Sequence, residues 1–567
     1  MNRFAELLDR LAYEHGRNNK LRLMVDYFRS TPDPERGYAL AALTGALSFQ
    51  HAKPGLIRTL IAERTDPVLF DLSYDFVGDL SETVALMWPA DPNLRPNTTA
   101  SLSAVIETLS TLGKADLPGQ IARWLDGLDE TGRWALLKLV TGGLRVGVSA
   151  RLAKTAAGML GGHEPNEIEL LWSGLEPPYI DLFAWLEGRA EKPAATDPAP
   201  FRPAMLAHAL DEAAMEGLDP KDFSAEWKWD GIRIQAVAGV HDDGRPVVRL
   251  YSRTGEDISG AFPELVEALT LPGALDGELL IRRGARVQPF NVLQQRLNRK
   301  AVTPKLLLDF PAHIRAYDLL VDGDEDIRAL SFVERRARLE RFVAKLDHAR
   351  IDISPLVPFA TWEELTAARA DPASAGAAAD AAAVEGVMLK RRDGAYLPGR
   401  PRGPWWKWKR DSMIVDAVLM YAQRGHGRRS SFYSDYTFGV WTAGADGDEL
   451  VPVGKAYFGF TDDELKEIDR FVRRNTVNRF GPVREVAHEP DHGLVFEVAF
   501  EGLQRSTRHQ SGLAMRFPRI SRLRWDKPPK EADRLETLET TLASLETGGR
   551  AEPGLLAAAG AESPKAG

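Results

Sequence analysis

Four prolines crowd the segment Arg189 to Pro203: Pro193, Pro198, Pro200 and Pro203. Each locks φ and removes an amide donor, so neither a helix nor a strand ladder can run through the segment. It reads as a linker, and a chain of 567 residues, too long for a single core, is expected to arrange three or four domains around it. Before it, residues 1–188 carry Leu- and Ala-rich amphipathic stretches with Pro, Gly and Asp breaks, the pattern of an all-α domain. After it the apolar period shortens to two.

The hexapeptide Lys228-Trp229-Asp230-Gly231-Ile232-Arg233 sits at the first such change. Ile232, Ile234, Ala236 and Ala238 alternate with Arg233, Gln235 and Val237, which predicts a half-buried strand and puts Lys228 at the end of the one before it. Asp230-Gly231 bends the backbone close to any bound phosphate. A lysine is ordinarily protonated, so it attacks phosphorus only after nearby cations, a metal or desolvation have removed its proton. Arg233, five residues on, supplies such a charge. Alone, the hexapeptide favours the reading of a surface lysine before an Asp-Gly turn.

Further charged clusters follow in order, each at a strand edge or turn. Tyr251-Ser252-Arg253-Thr254-Gly255-Glu256 ends the run Val247 to Leu250, and Leu275-Asp276-Gly277-Glu278-Leu279 sets acids among apolar residues. Ala316-Tyr317-Asp318-Leu319-Leu320 brings an aromatic. Val384-Glu385-Gly386-Val387-Met388-Leu389-Lys390 supplies an acid and a lysine, and Trp405-Trp406-Lys407-Trp408-Lys409 two more lysines. Arg516-Phe517-Pro518-Arg519 leads to Arg522, Arg524, Asp526 and Lys527. Taken singly, Glu278 is a solvated hairpin acid, Tyr317 a core aromatic, and Lys407 with Lys409 the polar face of an edge strand. Their joint order argues otherwise.

In that order the motifs resemble the ATP-dependent DNA ligases, within the covalent nucleotidyltransferase superfamily that also holds RNA ligases and mRNA capping enzymes. The resemblance spans roughly residues 204 to 530 by motif and implies nick sealing through a lysyl-AMP intermediate. The alternatives are an RNA ligase or capping-type nucleotidyltransferase, or a catalytically silent DNA-binding relative. The resemblance makes Lys228 the nucleophile toward ATP and Glu226 the acid that reads the adenine amino group. Arg233 and Arg253 match arginines near the ribose and the nick phosphate, Glu278 an acid on the ribose hydroxyls and the metal, and Tyr317 the aromatic stacked on adenine. Glu385 matches a second metal-associated acid, Lys407 and Lys409 the pair around the α-phosphate, and Arg524 and Lys527 the residues that orient pyrophosphate. An arginine expected before the Trp-Lys strand falls on Arg400 or Arg402, and Pro401 leaves open which. Mg²⁺, or Mn²⁺ in its place, is implied with Glu278 and Glu385 as ligands, since Mg²⁺ keeps much of its water and needs only one or two carboxylates.

The fold expected is an all-α N-terminal domain over 1–188 and a linker over 189–203. An α+β nucleotidyltransferase domain with ATP-grasp-like antiparallel sheets follows over 204–412, then a β-barrel OB-fold over 413–530 and an acidic tail over 531–567. Alternating stretches at Val415 to Leu419, Phe438 to Trp441, Val451 to Phe458 and Val495 to Phe500 suggest the barrel, and the capping box Thr461-Asp462-Asp463-Glu464 a helix between its strands. The Ala-rich stretch Asp371 to Ala383 is expected as a variable helix or surface loop. From Glu531 onward seven acids face three bases, read as a short exposed helix and then disorder. The helical region resembles the DNA-binding domain of larger ligases. Within it Ser149 is an expected N-cap, so free amides with Arg145 or Arg151 could grip a DNA phosphate; a plain helix start is the other reading.

A formal net charge of -9 opposes a polyanionic partner only in sum. From Lys390 to Arg410 eight Lys or Arg face the single acid Asp393, and from Arg505 to Lys530 eight face Asp526, surfaces suited to phosphates of nicked double-stranded DNA. With no cysteine there is neither disulfide nor thiolate zinc site, which fits a cytoplasmic protein and sets the chain apart from NAD-dependent bacterial ligases, whose resemblance would bring a four-cysteine zinc module. No apolar run reaches a membrane span, and Met1 to Gly16 is charged and amphipathic rather than a signal peptide. A monomer is expected. His488-Glu489-Pro490-Asp491-His492 matches a zinc-protease pattern but carries Pro490, which forbids the helix that pattern needs. Asp322 to Asp326 reads as a turn, not a calcium loop.

Overall fold

The computed structural model describes residues 1–77, 79–89, 100–194, 197–210, 212–297, 302–424, 432–444, 447–481, 483–506 and 509–546. The chain forms two compact units: Met1–Ala204 with Val237–Asp257, and Met205–Ala236 with Ile258–Gly567.

The first unit is helical up to the proline-rich segment, with twelve α-helices among the described residues from Asn2–Tyr13 to Ile180–Leu186. Side chains of Asp79, Ser101, Asp129 and Ser149 accept amide hydrogens at helix starts, each satisfying a donor the helix leaves over. One apolar face of each helix contributes to a core that includes Phe4, Leu8, Met24, Phe28, Leu40, Ile57, Ile121, Leu136 and Phe183. The segment expected as a linker holds no helix or strand among its described residues. It is nevertheless docked: Ala199 is buried, its carbonyl accepts from the Tyr251 hydroxyl at 2.7 Å, and Asp197 pairs with Arg249 at 3.3 Å. Prolines that cannot join a ladder still pack against one.

In the second unit β1 (His208–Ala209), β2 (Phe223–Trp229), β10 (Leu356–Val357), β11 (Val384–Arg391) and β12 (Trp405–Lys409) form one sheet in the order β1-β12-β11-β2-β10. A second sheet sets β3 (Ile232–Val240) beside β5 (Gly273–Arg283), then β7 (Ala312–Asp322) and β8 (Glu325–Asp326), with β6 (Arg286–Val287) on β5 and β9 (Ile351–Ile353) on β7. β3 turns through Asp242–Gly244 into β4 (Pro246–Ser252), which belongs to the first unit. The expectation of antiparallel sheets is corrected at two places, because β1 runs parallel to β12 and β9 parallel to β7; both strands arrive by long connections rather than hairpins, which frees their direction. β3 is also more deeply covered than its alternation suggested. Gln235, expected on a solvated face, is buried with its amide on Asp276.

Asp230-Gly231 carries the chain from the first sheet to the second, so Lys228 stands where the two diverge. A Cβ on Gly231 would come within 2.5 Å of the Leu279 carbonyl, so only glycine lets β5 lie this close. The helix Phe332–Leu346 opens with a full capping box, Ser331 with Glu334. Its buried stripe, Phe332, Arg335, Arg336, Leu339, Phe342 and Leu346, includes two arginines because acids meet them: Asp318 at 2.8 Å and Glu226 at 3.0 Å.

The remaining strands are β13 (Met413–Arg424), β14 (Tyr433–Gly444), β15 (Gly447–Ala456), β16 (Thr476–Phe480), β17 (Val483–Val486), β18 (Val495–Phe500), β19 (Gly502–Arg505), β20 (Leu513–Arg516) and β21 (Arg519–Arg524). β13 pairs with β14, β17 and β18, and β21 extends β18. One strand serving three partners curls the sheet around a core of Val415, Ala417, Phe438, Val453, Phe496, Val498 and Phe500. The helix Asp462–Arg474 starts at the expected capping box on Thr461 and Glu464. β15 ends at Ala456, short of the expected Phe458, and Tyr457 and Phe458 are exposed.

Two further expectations are corrected. The helix Leu535–Glu546 is not wholly exposed: Leu538 and Leu542 are buried in the barrel core, since an apolar stripe outweighs an acidic composition. The Ala-rich stretch, expected as a helix or a surface loop, forms two short irregular helices, Ala373–Ala377 and Ala378–Ala383, and is no surface loop, since Ala377, Ala381 and Ala383 pack on the first sheet. Small side chains there permit close approach. The disorder expected toward the C-terminus concerns 547–567, outside the described residues. Among the described residues no helix is long and apolar enough to cross a membrane.

Candidate functional site

Lys228 is the penultimate residue of β2, and its Nζ donates to Glu385 Oε1, one residue into β11. On β12, Lys409 reaches the other oxygen of the same carboxylate at 3.6 Å and Glu501 at 2.8 Å. Burial works against the Lys409 ammonium, yet its bonds to Glu501 and Glu385 hold its pKa above the usual value. Three neighbouring strands therefore deliver two amines and a carboxylate to one spot.

The Glu278 side chain, on β5, forms no hydrogen bond or ion pair among the described residues, and it lies in the field of this cluster. Burial, then the negative charges of Glu385 and Asp230, push its carboxyl up to about 8 against the pull of Lys228 and Arg233. A carboxyl raised in this way by its neighbours is one that a cation would relieve. Asp230 is likewise raised by burial, opposed by Arg516, whose guanidinium donates to it. Among the described residues no three His, Asp or Glu side chains cluster as metal ligands. The oxygen donors of Glu278 and Glu385 nonetheless suit a hard, largely hydrated cation, which asks the protein for one or two carboxylates rather than a cage; on that chemistry the pair fits Mg²⁺.

Beside it lies a charged cluster taken out of water. Glu226 is 2% exposed, with Lys390 at 2.8 Å and Arg336 at 3.0 Å. Burial raises its pKa, and the two cations oppose the rise. Lys390 also donates to the Tyr317 carbonyl and lies 4.7 Å from the centre of that ring. Arg233 is fully engaged: it donates to Asp276 at 2.5 Å, to the Tyr396 hydroxyl at 2.9 Å and to the Met205 carbonyl. Tyr396 in turn donates to Asp276 at 2.6 Å.

The structure thus gathers Lys228, Glu385, Lys409, Glu278, Asp230 and Arg233, with Glu226 and Tyr317 alongside. Lys407 occupies the same face of β12 as Lys409, two residues away. Arg524 and Lys527 stand elsewhere in the second unit, both on Asp416 of β13, at 3.0 and 2.7 Å. Arg400 and Arg402 are exposed in the segment before β12. Arg253, exposed after β4, belongs to the first unit, as do Arg145, Ser149 and Arg151. Ser149 caps the helix Ala150–Gly158 by accepting from the Leu152 amide at 3.2 Å, while Lys20 donates to the carbonyls of Val146 and Gly147. Arg336 and Tyr396 went unseen in the sequence. The capping box at Ser331 could have flagged the helix carrying Arg336; nothing local marks Tyr396. His488 to His492 is a turn closed by Glu489 and His492.

Comparison with known proteins bears on this arrangement. A family model described as ATP dependent DNA ligase domain matches residues 204–409, and another, ATP dependent DNA ligase C terminal region, matches 429–527. A "Probable DNA ligase" of Koribacter versatilis (strain Ellin345) is 30% identical over 569 residues, covering 95% of this chain and 96% of that protein. "DNA ligase 1" of Korarchaeum cryptofilum (strain OPF8) is 28% identical over 94% of this chain and 97% of its own length. The solved structure named "Pmar-Lig_PreS3" shares the fold with a TM-score of 0.54 at 16% identity, over 92% of this chain and 99% of that one.

Proposed function

Because the chain belongs to the ATP-dependent DNA ligases, enzymes that form phosphodiester bonds, we propose that it seals nicks in duplex DNA through AMP carried on Lys228. The observation that carries this reading is the Lys228 amine held against Glu385 beside the raised carboxyl of Glu278.

In the first step the amine attacks the α-phosphorus of ATP. A P–N bond forms, the bond to the β-phosphate oxygen breaks, pyrophosphate leaves, and Glu385, already bonded to Nζ, takes the proton. Next a 5′-phosphate oxygen at the nick attacks the same phosphorus; the P–N bond breaks and the amine regains a proton. Finally the 3′-hydroxyl attacks the 5′-phosphorus and AMP departs. Glu226 accepts from the adenine amino group, Tyr317 stacks on the base, and Glu278 engages the ribose hydroxyls. Lys407 and Lys409 bear the α-phosphate charge, Arg233 and Arg253 serve the ribose and the nick phosphate, and one of Arg400 and Arg402 contacts the nucleotide. Glu278 and Glu385 would hold Mg²⁺, or Mn²⁺, which would supply Lewis-acid polarisation of phosphate oxygens. Arg524 and Lys527 orient pyrophosphate once the barrel turns toward the nucleotide, and a different face of the barrel meets DNA for sealing. In the helical unit, the capped helix start at Ser149, flanked by Arg145 and Arg151, suits a DNA phosphate.

Labelled ATP and GTP offered separately, followed by nicked DNA or RNA and peptide mapping of the adduct, tests this reading. Label from ATP on Lys228 that chases into sealed DNA is expected. Label from GTP, label on another residue, or chase into RNA alone would overturn it.

A further inference from the structure

Glu226 lies in the middle of its sheet, opposite Met388 on β11 and Leu356 on β10. Lys390 is the diagonal neighbour on β11, two residues past Met388, so both side chains rise from the same face. Arg336 arrives from the helix Phe332–Leu346. The two cations divide the carboxylate: Arg336 takes Oε1 and Lys390 takes Oε2. Neither cation can wander. Arg336 also donates to the Ser354 carbonyl at 2.8 Å and to Glu340 at 2.8 Å. Lys390 is tied to the Tyr317 carbonyl and boxed by the rings of Tyr317, Phe332 and Trp405, each 4.7 to 4.9 Å from its Nζ.

Stability alone does not ask for this triad. An acid and two cations withdrawn from water are expensive, and well-packed apolar residues commonly serve a core as well or better. What the triad does provide is a carboxylate whose charged form two cations favour against the effect of burial, and which points in one direction. An ionised carboxylate accepts hydrogen bonds and cannot donate, and two of its roughly four acceptor sites are unused by these partners. Through Lys390 it abuts the Tyr317 ring, the surface offered to the base.

We propose that Arg336, with Lys390, is a positioning residue for Glu226 and thereby sets the selectivity for a purine carrying a 6-amino donor. The inference rests on the adenylation reading above. A 6-oxo purine would turn an acceptor toward the carboxylate and be repelled; a purine with hydrogen at that position would gain nothing from it. Without Arg336 the carboxylate is free to swing toward Lys390 or to take up a proton, and in either state it distinguishes the three poorly.

The test compares ATP with purine riboside 5′-triphosphate, which lacks the 6-amino group, in self-adenylylation of the full chain. The unmodified enzyme is expected to favour ATP. In Arg336→Met that preference falls by about tenfold, carried by KM for ATP rather than by kcat, and Arg336→Lys restores part of it. An equal loss with both nucleotides marks Arg336 as merely structural and overturns the inference, as does an unaltered preference. Failure of the unmodified enzyme to accept AMP from ATP would instead remove the reading on which the inference depends.

Discussion

The Arg516 guanidinium on β20 donates to the carboxylate of Asp230, two residues past Lys228. Asp230 is buried and has Glu385 as a neighbouring negative charge, so Arg516 is what makes its own charge tolerable in this setting. Arg516, 286 positions away in sequence, thus governs the electrostatics beside Lys228. A double-mutant cycle on Asp230→Asn and Arg516→Met is expected to give a coupling of about 1–2 kcal/mol in chemical denaturation. Additive effects would show that the two act independently.

Lys228→Ala should abolish the AMP adduct seen by intact-mass measurement, while leaving the thermal midpoint within a few degrees because the side chain is partly exposed. The same variant should still close a nick that already carries AMP on its 5′-phosphate, since the amine has no part in the last step. Retention of the adduct in Lys228→Ala would move the nucleophile elsewhere.

The Glu278 carboxyl keeps its proton to about pH 8 in the folded chain, against a usual value of 4.5. Between those limits the folded state holds more protons than the unfolded one, so stability declines as pH rises through the window. The thermal midpoint should fall from about pH 5 to about pH 8, and Glu278→Gln should flatten that slope. Mg²⁺ binding runs the opposite way: it needs the carboxylate, so affinity should increase up to about pH 8 and binding should release protons, readable by calorimetry in two buffers. A slope that survives in Glu278→Gln would assign it to another group.

Lys527 is held by Asp416 at 2.7 Å, on the face of β13 opposite Val415 and Ala417. If the barrel must turn to present it to pyrophosphate, Lys527→Ala should slow self-adenylylation by tenfold or more, on the order of one charge-assisted contact, and spare closure of a pre-adenylylated nick. Equal loss of both activities would count against such a turn.

Leu538 is fully buried on the last described helix. Leu538→Ala should cost about 2–4 kcal/mol of barrel stability in urea. A cost below about 0.5 kcal/mol, the range of surface changes, would return that helix to solvent.

Much of this was legible in the primary sequence, for identifiable reasons. The barrel strands and the helix at Thr461 announced themselves through local signals, alternation and a capping box, which act within a few residues. So did the neighbourhood of Lys228, because strand-edge motifs keep their chemistry in short words. Partners brought from afar were not legible. Tyr396 joins Arg233 across 163 positions, and no composition or spacing announces that. The helix Phe332–Leu346 looks like a charged surface helix until two of its arginines are found facing acids indoors. The C-terminal helix misled for the converse reason: its acids colour the composition, whereas its fate is decided by the leucines on one side.

Lys409 stands between Glu385, which holds Lys228, and Glu501, which precedes the β19–β20 hairpin. A triphosphate entering the cluster adds a third claimant for the same ammonium. An ammonium has three donors, so a phosphate can join both carboxylates there, and any weakening of the Glu501 bond would be felt at the neighbouring hairpin without a relay in between.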